Sequence, residues 1–199
     1  MRLIIISGFL GSGKTTFLIQ IAKAATAKGL KVAILVNEVG EIGIDDQFMR
    51  QLDLNVWELL GGCICCSLAG GVAETLQKLE KQYRPDYVLL EPSGVADPKN
   101  VAMALDGYQS DSLAGVGKVA LIDPLRLDML MEVLTPLTTS TIKAADIILI
   151  NKADAATPDE LVYARQVVGE IKPAARLMTI SVKEDTSPDL IEEILACPI

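Results

Sequence analysis

The stretch that most constrains the fold is GFLGSGKT, residues 8 to 15, which directly follows the apolar run LIIIS. It matches G-x-x-x-x-G-K-[ST] between a predicted strand and a predicted helix, which is where phosphate-binding loops (P-loops) occur. Glycines let the backbone N–H groups turn inward, and the helix N-terminus favours negative charge. Lys14 would reach the β- and γ-phosphates as a catalytic cation, and Thr15 would bind Mg²⁺. The residues assigned to the nucleotide here are Gly8, Gly11, Ser12, Gly13, Lys14, Thr15 and Thr16.

Strands rich in Ile, Leu and Val alternate with helical patterns, which is typical of βαβ units and a largely parallel sheet. The sequence therefore predicts an α/β protein, a three-layer α/β/α P-loop NTPase with a mostly parallel sheet of six or seven strands, in one domain spanning residues 1–199. The first helix should start near Gly13, bury Phe17, Ile21 and Ala24 and stop at Gly29. Predicted strands span 2–7, 31–37, 55–60, 86–91, 118–123, 146–151 and 175–181; later helices span 67–82, 124–134, 158–171 and 187–196, and 38–54 and 92–117 are irregular.

Charge and hydropathy restrict the partners. Eighteen basic and 26 acidic residues give a net charge of −8, which repels phosphate backbones and anionic membranes, so we expect neither as a partner. The apolar start runs straight into the P-loop, unlike a signal peptide, and no apolar run reaches the ~18 residues of a membrane span. Four cysteines are too few for a disulfide framework. We expect a cytoplasmic protein with reduced thiols.

The motif NKAD, Asn151 to Asp154, follows the predicted strand DIILI. An aspartate there can accept hydrogen bonds from N1–H and the exocyclic amine of guanine, whereas adenine has no matching pair of donors. The motif favours GTP over ATP, and a surface turn is the competing interpretation. The residues assigned to the base end of the site are Asn151, Lys152, Asp154, Ser181 and Val182.

The motif LLEPSG, residues 89 to 94, ends a buried strand in a carboxylate. P-loop enzymes place an acidic group there to support Mg²⁺ or its waters, so Glu91 is our candidate, with a solvated glutamate as the alternative. Gly94 could donate its backbone N–H to the γ-phosphate and act as a switch. No glutamine stands beside this loop and no arginine is an obvious internal finger, so we expect slow intrinsic hydrolysis.

The segment NEVGEIGIDD, residues 37 to 46, is acidic and spaced by glycines. It follows the second predicted strand, where a first switch region would lie. Glu38, Glu41 and Asp45 could bind a metal, and a solvated acidic loop fits the pattern equally well.

Three of the four cysteines, Cys63, Cys65 and Cys66, stand in the glycine-flanked segment GGCICCSLAG, and the chain has no histidine. Three converging thiolates suit Zn²⁺, Cu⁺ or an Fe–S cluster, and an open fourth position suits a transferable ion. A carboxylate, water, Cys197 or a partner would supply the fourth ligand. Buried apolar cysteines and a redox sensor are the alternatives.

In this order and spacing, GFLGSGKTT, NEVGEIGIDD, GGCICC, EPSG and NKAD resemble the CobW-type metallochaperone GTPases, relatives of the hydrogenase and urease nickel-insertion GTPases. The resemblance implies that Cys63, Cys65 and Cys66 carry a metal, Zn²⁺ first and Co²⁺, Ni²⁺ or Fe²⁺ as alternatives, with help from Glu41. It also implies GTP-gated transfer to a client metalloenzyme and a homodimer that depends on the nucleotide.

The chain departs from this family in two respects. It resembles a short form that lacks the C-terminal domain and the histidine-rich tract, and Val36 stands where an acidic metal ligand can precede the switch asparagine. Two other functions use the same motifs, a GTPase chaperone for a cofactor enzyme such as a cobalamin-dependent one, and a thiol redox sensor without metal transfer.

Overall fold

The structure, a computed structural model, describes residues 1–36, 55–58, 69–108, 110–184 and 186–196. The strands in these ranges form one sheet in the order β3-β2-β4-β1-β5-β6-β7, in which every neighbouring pair is parallel. The predicted parallel sheet is therefore confirmed, with seven strands. The strands are β1 Arg2–Gly8, β2 Val32–Val36, β3 Asn55–Glu58, β4 Tyr87–Glu91, β5 Gly115–Ile122, β6 Ile147–Ile150 and β7 Arg176–Thr179.

Helices cover both faces of this sheet. Ile4 and Ile6 of β1 pack with the helix after the P-loop and the last helix, whereas Leu3 and Ile5 pack against the opposite layer. This alternation follows from the two-residue period of a strand, and it confirms the three-layer α/β/α architecture. The helices are α1 Lys14–Ala27, α2 Ala69–Gln82, α3 Pro98–Asp106, α4 Pro124–Val133, α5 Thr135–Ala144, α6 Pro158–Ile171 and α7 Pro188–Ala196, with a 3₁₀ turn at Val182–Glu184.

Two helices lie where the sequence predicted none. The stretch 92–117 contains α3, whose N-terminus is capped by the Asp97 carboxylate accepting from Lys99 N at 2.9 Å, and the first residues of β5. Helix α5 is rich in threonine, a β-branched residue with low helix propensity, so the local pattern is weak. Burial of Thr138 and Ile142 stabilises it instead.

The first helix is correctly placed, but one residue of its buried stripe is wrong. Phe17 and Ile21 are fully buried, as predicted, whereas Ala24 is only half-buried and Ala25 takes the fully buried position. The stripe is centred on Ile21 and Ala25, so Ala24 lies at its edge. The helix ends at Ala27, shortly before Gly29, which has φ +77°.

Parallel pairing places the carboxyl ends of all these strands at one edge of the sheet. Open α/β sheets bind ligands at that edge. Both β1, which leads into the P-loop, and β4, which ends at Glu91, are interior strands of the sheet. Within the described ranges, no helix is long and apolar enough to cross a bilayer.

A carboxylate ties α2 to the connection between α3 and β5. Glu80 accepts hydrogen bonds from Tyr108 Oη at 2.7 Å, Ser110 Oγ at 2.7 Å and Ser112 Oγ at 2.6 Å. These hydroxyls stabilise the charged form and lower the pKa of Glu80 to about 2, with the Ser112 hydroxyl contributing most. Desolvation of the Tyr108 hydroxyl and its bond to Glu80 raise the pKa of that tyrosine.

The Glu80 contacts should make the stability of the folded protein depend on pH. Because the folded state lowers the pKa of Glu80, its contribution is fully present above the unfolded value near 4.5 and is lost as the pH falls towards about 2. We expect Glu80→Gln to lower the melting temperature at pH 7 and the difference from the native chain to shrink below pH 5. Thermal melts from pH 7 to pH 2 measure this, with the exposed Glu74→Gln on the same helix as the control. A difference that stays constant over this range would contradict the prediction.

Candidate nucleotide-binding site

The P-loop turns sharply before α1 begins. Gly13 is the N-cap of α1 and has φ +98°, a left-handed conformation that favours glycine. A Cβ at Gly13 would lie 2.3 Å from Nδ2 of Asn151, and that amide cannot move aside easily because it donates to Ser12 O. The third glycine of the motif is therefore required both by its dihedral angle and by close packing.

At the phosphate end, Lys14 and Thr15 meet the carboxylate at the end of β4. The Lys14 side chain is 6% exposed, and its Nζ lies 3.7 Å from Oε1 of Glu91 and 3.3 Å from Phe9 O. Thr15 Oγ1 lies 2.9 and 3.0 Å from the two carboxylate oxygens of Glu91. The structure thus places a cation, a hydroxyl and a carboxylate together at the start of α1.

These groups fit a magnesium nucleotide. Mg²⁺ prefers oxygen ligands, usually one or two protein oxygens together with substrate phosphates and water, and the Thr15 hydroxyl and Glu91 carboxylate are such oxygens. Ser12 Oγ is buried without a hydrogen-bond partner in the described part of the chain. A buried hydroxyl without a partner is costly, so the loop has unused capacity for a polar ligand.

Gly94 lies directly against the P-loop backbone. A Cβ at this position would be 2.7 Å from Leu10 N and 3.2 Å from Phe9 C. The contact is with backbone atoms, which cannot rotate away, so a larger residue would push the loop after β4 and the P-loop apart. The predicted bond from Gly94 N–H to a γ-phosphate remains a prediction.

At the base end, the side chain of Asn151 joins two loops. Its Nδ2 donates to Ser12 O at 2.8 Å, and its Oδ1 accepts from Val182 N at 2.9 Å. Asn151 is 3% exposed and Val182 is equally buried. The asparagine therefore fixes the P-loop relative to the loop that follows β7.

The other NKAD residues are also held by polar contacts. Asp154 accepts a hydrogen bond from Ser181 Oγ at 2.7 Å, and Lys183 Nζ lies 3.8 Å from its second oxygen. Lys152 has φ +63° and pairs with the buried Asp123 at 2.6 Å. Asp154, Ser181 and Val182, predicted to bind the base, thus belong to one connected set of contacts.

Sequence reasoning missed three residues at this site. Asp123 follows β5, and its position at a strand end before a proline was a usable signal. Arg126 donates from Nη1 to Leu10 O at 3.0 Å, and Gln20 donates to Val182 O at 2.8 Å. Neither of these two contacts leaves a local pattern in the sequence.

The remaining predicted residues are Thr16 and the candidate metal ligands. Thr16 is exposed on the first turn of α1, next to Thr15. The acidic residues Glu38, Glu41 and Asp45 and the cysteines Cys63, Cys65, Cys66 and Cys197 lie outside the described residues. Among the residues that are described, no group of three or more Cys, His, Asp or Glu side chains could hold a metal ion.

Curated proteins similar to this chain are named for zinc. Zinc chaperone YeiR of Escherichia coli is 34% identical over 156 residues, covering 78% of this chain and 47% of its own length. Zinc chaperone YjiA of the same organism is 32% identical over 186 residues, covering 89% of this chain and 56% of its own length. The chain therefore spans about half the length of these relatives.

Solved structures share the fold, and a family match extends over most of the chain. Zn(II)-bound YjiA GTPase from E. coli has a TM-score of 0.69 at 24% identity, covering 96% of this chain and 60% of that one. Hydrogenase maturation factor HypB from Archaeoglobus fulgidus has a TM-score of 0.67 at 19% identity, covering 98% and 87%. The family described as CobW/HypB/UreG, nucleotide-binding domain, matches residues 2–179. With its P-loop and its NKAD motif joined through Asn151, the chain belongs to the CobW/HypB/UreG family of nucleotide-binding domains.

Proposed function

We propose that this chain binds and hydrolyses GTP and that its nucleotide state controls a thiolate metal site, from which an ion passes to a client metalloenzyme. The observation that best supports nucleotide chemistry is the cluster of Lys14, Thr15 and Glu91 at the start of α1. The zinc chaperones among its relatives support the metal. Because the chain spans only about half the length of these relatives, the proposed function is that of the domain they share with it.

Guanine recognition is assigned to Asp154. Its carboxylate accepts from Ser181 Oγ through one oxygen, which restricts its rotation. An ionised carboxylate offers several acceptor sites, so Asp154 can still accept from N1–H and the exocyclic amine of guanine. Lys183 Nζ lies 3.8 Å from the second carboxylate oxygen.

Hydrolysis is assigned to the phosphate end. Lys14 would offset the negative charge that develops on the γ- and β-phosphates, and Glu91 holds the Thr15 hydroxyl through both carboxylate oxygens. Mg²⁺, when bound, would neutralise further phosphate charge. The residues after Glu91 are Pro92, Ser93 and Gly94, so no side-chain amide is available there to orient water, and we expect slow intrinsic hydrolysis.

The proposed metal ligands are Cys63, Cys65 and Cys66, with Glu41 as a candidate fourth ligand. The cysteine segment follows β3, which ends at Glu58. Strand β2 separates β3 from β4 in the sheet, so the carboxyl ends of β3 and β4 are only ~10 Å apart. A segment that starts so near Glu91 could respond to the nucleotide.

Zinc is the proposed metal, because three thiolates suit Zn²⁺ and the relatives are named as zinc chaperones. A domain that loads and releases an ion needs a recipient, so the proposal includes a client protein. A nucleotide-dependent homodimer and the Mg²⁺ requirement belong to the same proposal.

The first prediction of the proposed function concerns guanine recognition. The substitution Asp154→Asn keeps one acceptor for N1–H and adds a donor that matches the C2 oxygen of xanthine but not the amine of guanine. We expect Asp154→Asn to weaken GDP binding by at least about tenfold and to strengthen XDP binding relative to GDP. Isothermal titration with GDP, XDP and ADP measures this.

Asp159→Asn on α6 is the matched control for Asp154→Asn, because it makes the same change at an exposed position. It should bind GDP like the native chain. If Asp154→Asn kept the native preference for GDP over XDP, the assignment of guanine recognition to Asp154 would be wrong.

The second prediction concerns the metal. We expect the reduced native protein to retain about one zinc ion per chain, and Cys65→Ser to weaken zinc binding by more than about tenfold through the loss of one thiolate. In metal-free protein GDP affinity should differ by less than about twofold between Cys65→Ser and the native chain, since the substituted thiol is no part of the base or phosphate site. Competition with a chromophoric chelator gives the zinc affinity. The control is Asp154→Asn, whose cysteines are intact and which should bind zinc as the native chain does. If Cys65→Ser and the native chain bound zinc equally well, the assignment of the metal site to these thiolates would be wrong.

A further inference from the structure

Gln20 lies near the middle of α1 and its side chain contacts the loop that follows β7. Its Nε2 donates to Val182 O at 2.8 Å. Its Oε1 accepts from Thr186 Oγ1 at 2.6 Å and from Thr186 N at 3.2 Å. One half-buried amide therefore uses both its donor and its acceptor on a loop more than 160 positions away in sequence.

The loop that Gln20 contacts is the one that lies beside Asp154. Val182 is 3% exposed and Thr186 is 8% exposed, so these hydrogen bonds are shielded from water, where polar contacts are stronger and their loss is costlier. Val182 is held at both of its backbone polar groups, since its N–H donates to Asn151 and its carbonyl accepts from Gln20.

Ser181, the residue before Val182, connects the Gln20 contacts to the base end of the site. Ser181 donates its hydroxyl to Oδ1 of Asp154 at 2.7 Å. Rotation of the Val182 peptide would displace Ser181 and with it the orientation of the Asp154 carboxylate. Gln20 makes none of the phosphate-end contacts described above, which belong to Lys14, Thr15 and Glu91.

We infer that Gln20 is a positioning residue for guanine selectivity. It anchors the Ser181–Val182 segment to the helix that begins at the P-loop, so that the base and phosphate ends keep a fixed separation. This inference rests on the proposed function, in which Asp154 reads guanine. It assigns to α1 a second role, besides presenting its N-terminus to phosphate.

The test uses two substitutions at this position. Gln20→Ala removes the three hydrogen bonds described above. Gln20→Glu keeps the acceptor for Thr186 but places a carboxylate oxygen against Val182 O, so the Val182 hydrogen bond is replaced by a repulsion. The matched control is Gln166→Ala on α6, whose side chain bonds only locally, to Glu170 in the contacts described.

We expect Gln20→Ala and Gln20→Glu to weaken GDP binding by about three- to tenfold, the range for losing one to a few partly buried hydrogen bonds. ADP binding, which depends on the P-loop alone, should stay within about twofold, so the GDP-to-ADP affinity ratio falls. In steady-state assays KM for GTP should rise while kcat stays within about twofold. Gln166→Ala should match the native chain, and circular dichroism melts confirm that each variant is folded.

Two results would overturn the inference alone. Unchanged GDP and ADP affinities in both Gln20 variants would show that the Gln20 contacts have no part in base recognition. Equal losses of GDP and ADP affinity would show that Gln20 stabilises α1 and the P-loop but has no part in guanine selectivity. If the native chain itself bound GDP and ADP equally, the proposed guanine site would fail, and the inference with it.

Discussion

The buried side-chain amide of Asn151 is the contact on which the nucleotide edge depends. It joins the P-loop, through Ser12 O, to the loop after β7, through Val182 N, and its own backbone N–H donates to Ile122 O at 2.9 Å. A substitution that removed the amide would leave a buried carbonyl and a buried N–H without partners, at a cost of about 1–3 kcal/mol each. Because Gly13 lies so close to this amide, a residue larger than glycine at position 13 would displace the Asn151 side chain.

The parallel sheet makes these contacts available. Because β1, β4, β6 and β7 all end at one edge, the P-loop, Glu91, Asn151 and the loop after β7 are brought together although they are distant in sequence. At one end Thr15 and Glu91 form an oxygen-rich pair beside Lys14. At the other, Asp154 is held by Ser181, and Asn151 lies between the two.

The sequence was sufficient for the parts of this site that depend on local pattern and strand order. A P-loop after an apolar strand, Glu91 at the end of a second strand and NKAD at the end of a third must meet once the strands are parallel. The contacts of Gln20 and Asp123 could not be predicted in this way, since Gln20 and Val182 are 162 positions apart. Helix α5 was missed for a related reason, because packing rather than propensity stabilises its threonine-rich segment.

In the proposed function, the bound nucleotide controls the affinity of the thiolate site for metal. The most direct measurement is the zinc affinity of reduced protein, by chelator competition, with Mg²⁺ and either GDP or a non-hydrolysable GTP analogue. We expect the two affinities to differ by about 5- to 150-fold, the usual range of allosteric coupling, and the difference to be lost in Lys14→Ala, which lacks the ammonium assigned to the γ-phosphate. Equal zinc affinity with both nucleotides would contradict the account, because a nucleotide that binds both metal states equally well cannot shift the metal equilibrium.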